Sequence, residues 1–121
     1  MRFAENNLPT HSIQSWSGDG IVIDDKLISH SVLVSADTVQ AWSPLGATEL
    51  VKEHFGQFES MDPEIVIIGT GEGLVFPAAH LTVGLQSQGI GVEIMANDAA
   101  CRTFNVLLSE DRRVVLALML G

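Results

Sequence analysis

A single cysteine, Cys101, leaves no partner for an internal disulfide. A reducing, cytoplasmic setting follows from that scarcity. Bases are also few: six lysines and arginines stand against fifteen acids, for a formal charge of -9. A field of that sign repels phosphodiester backbones, whose binding rests on cations displacing counterions, and it repels anionic lipid. Nucleic acid and direct membrane insertion are therefore excluded as expectations. The longest apolar run, Val114 to Leu120, is a strand's length and far short of the roughly 20 residues that span a bilayer as a helix. Met1 to Asn7 has no apolar h-region and no arginine-rich amphipathic pattern, so no leader is read there and the chain is taken as soluble. Low-complexity tracts, linkers and internal repeats are missing too.

What is present is an apolar fraction of 46% spread evenly along 121 residues, enough for one core and one domain over 1–121. The organising stretch is Pro63-Glu64-Ile65-Val66-Ile67-Ile68-Gly69-Thr70-Gly71-Glu72-Gly73. Its run of β-branched residues, bounded by Pro63 and Gly69, reads as a strand buried on both faces. Ligands of such sheets sit where loops leave the carboxyl ends of the strands.

Ahead of it, Ile13, Trp16, Ile21, Ile23, Leu27, Ile28, Val32 and Val34 alternate with polar residues, and Gly18-Asp19-Gly20 and Asp24-Asp25-Lys26 carry turn chemistry. The pattern predicts a meander over about 12–42, with strands near Ser12 to Ser17, Gly20 to Asp24, Lys26 to Ile28, Ser31 to Ser35 and Thr38 to Trp42. Ser43-Pro44 then offers a helix start. Ala47, Leu50, Val51, His54 and Phe55 fall at helical spacing, and Gly56 supplies a stop, so one helix is expected over about 44–55.

Beyond the glycine loop, Pro77 opens a helix that buries Ala78, Leu81, Val83 and Leu85 and whose Gly84 lets it lie against the sheet. Ile90 to Met95 is the next strand, parallel to the first, so both exit at one edge. Asn97 or Asp98 caps a further helix, whose apolar side includes Ala99, Ala100, Phe104, Val106 and Leu108, and Val114 to Leu120 reads as a central strand. The expected fold class is α/β: a three-layer (β+α/β/α) domain with a mixed central sheet, an N-terminal β meander followed by β-α-β-α-β over 64–120.

The chemistry-bearing residues converge on that edge. Gly69-Thr70-Gly71-Glu72-Gly73 begins like a dinucleotide fingerprint, but Leu74 stands where its third glycine belongs and Glu72 opposes phosphate. A turn satisfying left-handed backbone angles is the plainer reading. Asn97, Cys101 and Arg102, on the helix start beside this loop, complete a candidate ligand site of Gly69, Thr70, Gly71, Asn97, Cys101 and Arg102, suited to a small anion or carboxylate. Against it stands an Arg102 paired with Glu110 or Glu93. Cys101 beside Arg102 invites a thiolate reading, yet none of His11, His30, His54 and His80 is placed near it as a base, and packing among Ala99, Ala100 and Phe104 suffices. The histidines form no metal motif and no cofactor is implied. Asp24-Asp25 and Glu110-Asp111 read as solvated turn carboxylates, and Trp16 and Trp42 as packing residues.

Gly89-Ile90-Gly91-Val92-Glu93-Ile94-Met95, then Asn97, Ala99-Ala100-Cys101-Arg102-Thr103-Phe104-Asn105 and Leu107, then Glu110, Arg112 and Val114, resembles the signature of a widespread domain family of unknown molecular function. Its eukaryotic relatives include a mitochondrial respiratory complex I assembly factor and an adipogenesis-associated protein. The resemblance extends back through Glu64 to Gly71, Trp42, Ser31 and Gly20. It implies a three-layer fold with a mixed sheet and transfers no catalytic residue. The chain departs from the family in lacking tyrosine altogether, where an aromatic residue is common near His30-Ser31. The expectation is a small, non-enzymatic accessory protein with a protein partner, acting in interaction or complex assembly and compatible with a homo-oligomer. The alternative is a small-molecule or anion binding protein, or enzyme, using the loop and helix start.

Overall fold

The computed structural model describes residues 11–121; the reading of Met1 to Asn7 lies outside them. Ile65–Gly69 forms β6 at the heart of a five-stranded sheet of order β5-β4-β8-β6-β7, with β4 at Val32–Val34, β5 at Val39–Ala41, β7 at Gly91–Met95 and β8 at Val114–Leu118. β6 runs parallel to both β7 and β8, while β4 is antiparallel to β5 and β8. The sheet is mixed and β8 is central, as its unbroken apolar run requires. The meander is divided between two sheets. Ser15–Ser17 (β1), Gly20–Ile23 (β2) and Lys26–Ile28 (β3) make a separate three-stranded antiparallel sheet, and only β4 and β5 join the main one. Gly20 marks the tight point. Its φ is +138°, and a Cβ there would run into the Ile28 carbonyl.

Alternation along the central strands feeds two cores. Val32, Val34, Ile67, Leu116 and Leu118 point to one side, where Ile13, Ile21 and Ile23 of the small sheet and Ala100, Cys101, Phe104 and Leu108 of the helix Asn97–Ser109 (α3) cover them. Leu33, Val66, Ile68, Val115 and Ala117 point to the other. Leu81 and Leu85 of Ala79–Gln86 (α2) cover these, together with Trp42, Ala47, Leu50, Phe55 and Phe58. The result is the expected three layers, with the small sheet and α3 on one side.

The helix expected over 44–55 does not form. Its place is taken by 3₁₀ turns at Ala47–Glu49 and Lys52–Phe55, followed by one helical turn, Phe58–Met61 (α1). Leu50 and Val51 between the turns are extended. Side chains replace the helical ladder: the His54 Nδ1 accepts the Val51 N–H at 3.0 Å, and Trp42 Nε1–H donates to the His54 carbonyl at 3.0 Å. Such local bonds offer backbone an alternative to helix. Leu50 and Phe55 still reach the core, whereas Val51 is exposed.

Three expectations on α2 also fail, the first being Ala78, which precedes the helix and is exposed where burial was expected. Val83 points to solvent, and Gly84 does not lie against the sheet, since a Cβ added there meets nothing within 4 Å. The helix is only two turns long, so Leu81 and Leu85 alone make its buried side. Val106, placed on the apolar side of α3, is likewise exposed. The carboxyl ends of β7, β6 and β8 nonetheless lie level, with Met95 and Leu118 both opposite Gly69.

Candidate functional site at the carboxyl edge of the parallel strands

Three strand exits are knitted together at this edge by a few polar atoms. Thr70 N–H donates to the Met95 carbonyl at 2.9 Å, Met119 N–H to the Gly69 carbonyl at 3.0 Å and Asn97 N–H to the Gly71 carbonyl at 2.8 Å. The Asn97 side chain, 1% exposed, supplies the rest: its Oδ1 accepts the Gly71 N–H at 2.9 Å and its Nδ2 donates to the Met119 carbonyl at 2.9 Å. The cap of α3 is therefore not Asn97 or Asp98. Ala96 occupies that position without a side-chain bond, because the Asn97 amide is turned back to the strand exits.

Gly69 is required by this closeness. A Cβ on it would sit 2.5 Å from Asn97 Oδ1 and 2.6 Å from Leu118 Cδ1, distances that real side chains do not adopt. Gly71, at φ +109°, turns the chain out of the sheet. Thr70 then folds the loop on itself, its Oγ1 donating to the Gly73 carbonyl at 2.7 Å and accepting the Val75 N–H at 3.1 Å.

Between this loop and the Gly18–Gly20 turn lies a cleft of about 450 Å³, bordered by Trp16, Gly71, Asn97 and Met119 to Gly121. Asp19 and Glu72 line it, and no lysine or arginine does. Glu72 belongs to the loop read from the sequence, whereas nothing in the sequence placed Asp19 here. Only the register of the separate small sheet brings Gly18 and Asp19 opposite Glu72.

Cys101 and Arg102 do not border the cleft. Cys101 faces the core, where burial pushes its thiol up to about 12, with the Asp98 charge adding to the rise and Arg102 opposing it. Arg102 is exposed and sits 3.7 Å from Asp98 one turn earlier, not beside Glu110 or Glu93. On α3 that i, i+4 neighbour is always in reach. Of the bases, Arg112 takes Glu64 as its partner, at 3.2 Å. Glu64 also accepts the Arg113 N–H at 2.9 Å, and that backbone bond, then the Arg112 guanidinium, holds its carboxyl below the usual range. Trp16 and Trp42 belong to opposite cores.

Two structural polar residues escaped the reading of spacing alone. Ser31, buried at the start of β4, accepts the Leu120 N–H at 2.8 Å. Asn105 of α3 mimics a strand, donating to the Ile13 carbonyl at 2.9 Å and accepting its N–H at 2.7 Å. The available signal was a lone polar residue within an apolar pattern. Among the described residues, no group of three or more histidine, cysteine, aspartate or glutamate side chains is arranged to hold a metal ion, and no helix is long and apolar enough to cross a membrane.

These elements define a three-layer α/β domain with a mixed five-stranded sheet. A Bordetella pertussis protein described as an Mth938-like domain has the same fold, with a TM-score of 0.81 at 22% identity, covering 99% of this chain and 90% of that one. The chain belongs to the family described as "Protein of unknown function (DUF498/DUF598)", whose model matches residues 13–119. Among relatives, the "13 kDa major membrane protein" of Francisella tularensis is 32% identical over 88 residues, covering 71% of this chain and 72% of that protein. The bovine "NADH dehydrogenase [ubiquinone] 1 alpha subcomplex assembly factor 3" is 29% identical over 109 residues, or 88% of this chain. This chain spans 59% of that factor's length.

Proposed function

We propose that the chain is a non-enzymatic accessory protein of the cytoplasm that contacts other proteins during the assembly of a larger, membrane-associated complex. The observation that carries this reading is the loop Leu74-Val75-Phe76, which holds three large apolar side chains out in solvent, Phe76 at 71% exposure. Exposed apolar groups gathered on one segment mark contact surfaces, and aromatic anchors dominate the energetics of such contacts. The bonds of Thr70 and Asn97 fix the base of the loop, so the anchors are presented with little ordering left to do on binding. The likeness to a complex I assembly factor points the same way.

Pull-down from native extract tests the reading, with wild type and Phe76→Glu as baits. A reproducible partner that Phe76→Glu loses supports it. The absence of any partner under mild conditions, or retention by the variant, counts against it.

The cleft favours a second reading, in which Gly71 and Asn97 line a small-molecule site, Gly69 and Thr70 hold the base of its loop, and Cys101 and Arg102 take no part. Asp19 and Glu72 suit a cationic or neutral polar ligand there better than the anion expected from the helix start. Thermal stabilisation by small amines and not by phosphate supports this version.

A further inference from the structure

From Gly73 to Val92 the chain carries no aspartate, glutamate, lysine or arginine; all fifteen acids and six bases lie outside this stretch. Burial does not explain the gap. Most of the stretch is exposed, including His80, Val83, Gly84 and Gln86 on the outer face of α2. Charge depletion together with exposure is the compositional mark of an interface core.

Gly84 sharpens the point. Glycine within a helix costs about 1 kcal/mol relative to alanine, and here it makes no close internal approach, because a Cβ would meet nothing within 4 Å. A groove of about 400 Å³ opens beside it, between α2 and the segment of Phe55 and Phe58. Its charged lining residues, Lys52 and Glu59, are of opposite sign. Next to Gly84, Val83 projects at 58% exposure. Projection and recess therefore lie side by side on one helix.

We propose that α2 is the contact with a second copy of this chain, packed helix to helix about a two-fold axis, with Val83 of each copy in the groove beside Gly84 of the other. A two-fold contact requires one patch to carry both halves of the fit. Charge favours the same occupant. A basic partner finds no carboxylate on this helix, whereas two copies of an acidic chain must meet where neither bears charge. Leu74 to Phe76 lie in the same uncharged stretch but do not line this groove, and the inference stands apart from the assembly reading.

Sedimentation equilibrium of the full chain, over a range of protein and salt concentrations, tests it. A monomer–dimer equilibrium is expected, tightening as salt screens the repulsion between two chains of charge -9. Val83→Glu is expected to weaken the dimer by about tenfold or more with an unchanged far-ultraviolet spectrum. Leu27→Glu, at an exposed position of the small sheet, leaves it intact. Gly84→Ala separates contact from stability: it is expected to stabilise the monomer while weakening the dimer. A chain that stays monomeric at every concentration overturns the proposal, as does a dimer that survives Val83→Glu or one that salt dissociates. A different protein cross-linked at Val83 of a monomeric chain overturns it as well. Phe76→Glu, expected to keep the dimer, separates this outcome from loss of the extract partner.

Discussion

Asn97 and Gly71 exchange two hydrogen bonds: the Gly71 N–H donates to Asn97 Oδ1 at 2.9 Å, and the Asn97 N–H donates to the Gly71 carbonyl at 2.8 Å. The Nδ2 bond to Met119 extends the pair to the end of β8. One buried amide thereby fixes the start of α3 against the exits of β6 and β8.

Asn97→Ala leaves the Gly71 N–H and the Met119 carbonyl without their side-chain partner. Each such group, one buried and one partly so, costs about 1–3 kcal/mol, so a loss of about 2–6 kcal/mol in unfolding free energy is expected by urea denaturation. Asn97→Asp keeps the acceptor and turns a carboxylate oxygen on the Met119 carbonyl. Burial and that repulsion raise the carboxyl's folded pKa, so its defect should grow as pH rises and shrink in acid. Equal defects for Asp at every pH would refute the assignment of Nδ2 to Met119.

Gly69→Ala should be the most damaging glycine-to-alanine change in the loop. The added methyl meets Asn97 Oδ1 and Leu118 Cδ1 inside contact distance and presses on Ala100, and overpacking of this kind costs about 1–3 kcal/mol. Gly73→Ala, where a Cβ meets nothing within 4 Å, is expected to change stability by less than about 0.5 kcal/mol. Comparable losses at the two positions would contradict the geometry.

The strands, their order of appearance and the shared exit of β6 and β7 were legible because periodicity two, glycine turns and an apolar run such as Val114 to Leu120 are local signals. The extra sheet was not. Nothing in the alternation from Ile13 to Val34 tells which strands pair with which, and the break falls at Ser29-His30, a polar pair like others in the meander. Between Ser43 and Phe55 the apolar spacing was real, and Leu50 and Phe55 are buried as it requires. The helix lost to bonds made by Trp42 and His54, partners that spacing cannot supply. The candidate site was read from the backbone side correctly in one respect, that Gly69, Thr70, Gly71 and Asn97 meet. Arg102, five residues on from Asn97, falls about 140° around the helix and points to solvent, while Cys101 shares the inward face with Asn97 but lies one turn further along, in the apolar cluster of Phe104 and Leu108. Asp19 entered the cleft from a segment far away in sequence, and no pattern announces that.

Cys101 is expected to resist alkylation in the folded protein. Its thiol is buried, and its pKa of about 12 leaves almost no thiolate near neutrality. Labelling with iodoacetamide at neutral pH should proceed at the rate of global unfolding and become fast in denaturant. Rapid native labelling would place the thiol at the surface and reopen the ligand site to it. Cys101→Ser should destabilise more than Cys101→Ala, because the hydroxyl enters the apolar cluster of Phe104 and Leu108.

Glu64 gives the fold a dependence on acid whose sign is fixed by its partners. The Arg113 N–H and the Arg112 guanidinium favour the ionised carboxylate, so the folded pKa lies below the ordinary 4.5. A group lowered in this way contributes stability that is present above its unfolded value and disappears as pH falls through the folded one. Glu64→Gln keeps an acceptor for the Arg113 N–H while removing the charge that Arg112 meets at 3.2 Å. The variant should therefore unfold at lower urea than wild type at neutral pH, with an unchanged m value. The two curves should converge once wild-type Glu64 is itself protonated. The bonds join the start of β6 to the residues before β8, so the effect should also show as slower amide exchange of wild type at Glu64 and Ile65, whose N–H groups donate to the Arg113 carbonyl. A gap between variant and wild type that is flat from neutral pH into acid would mean that charge contributes nothing at this junction.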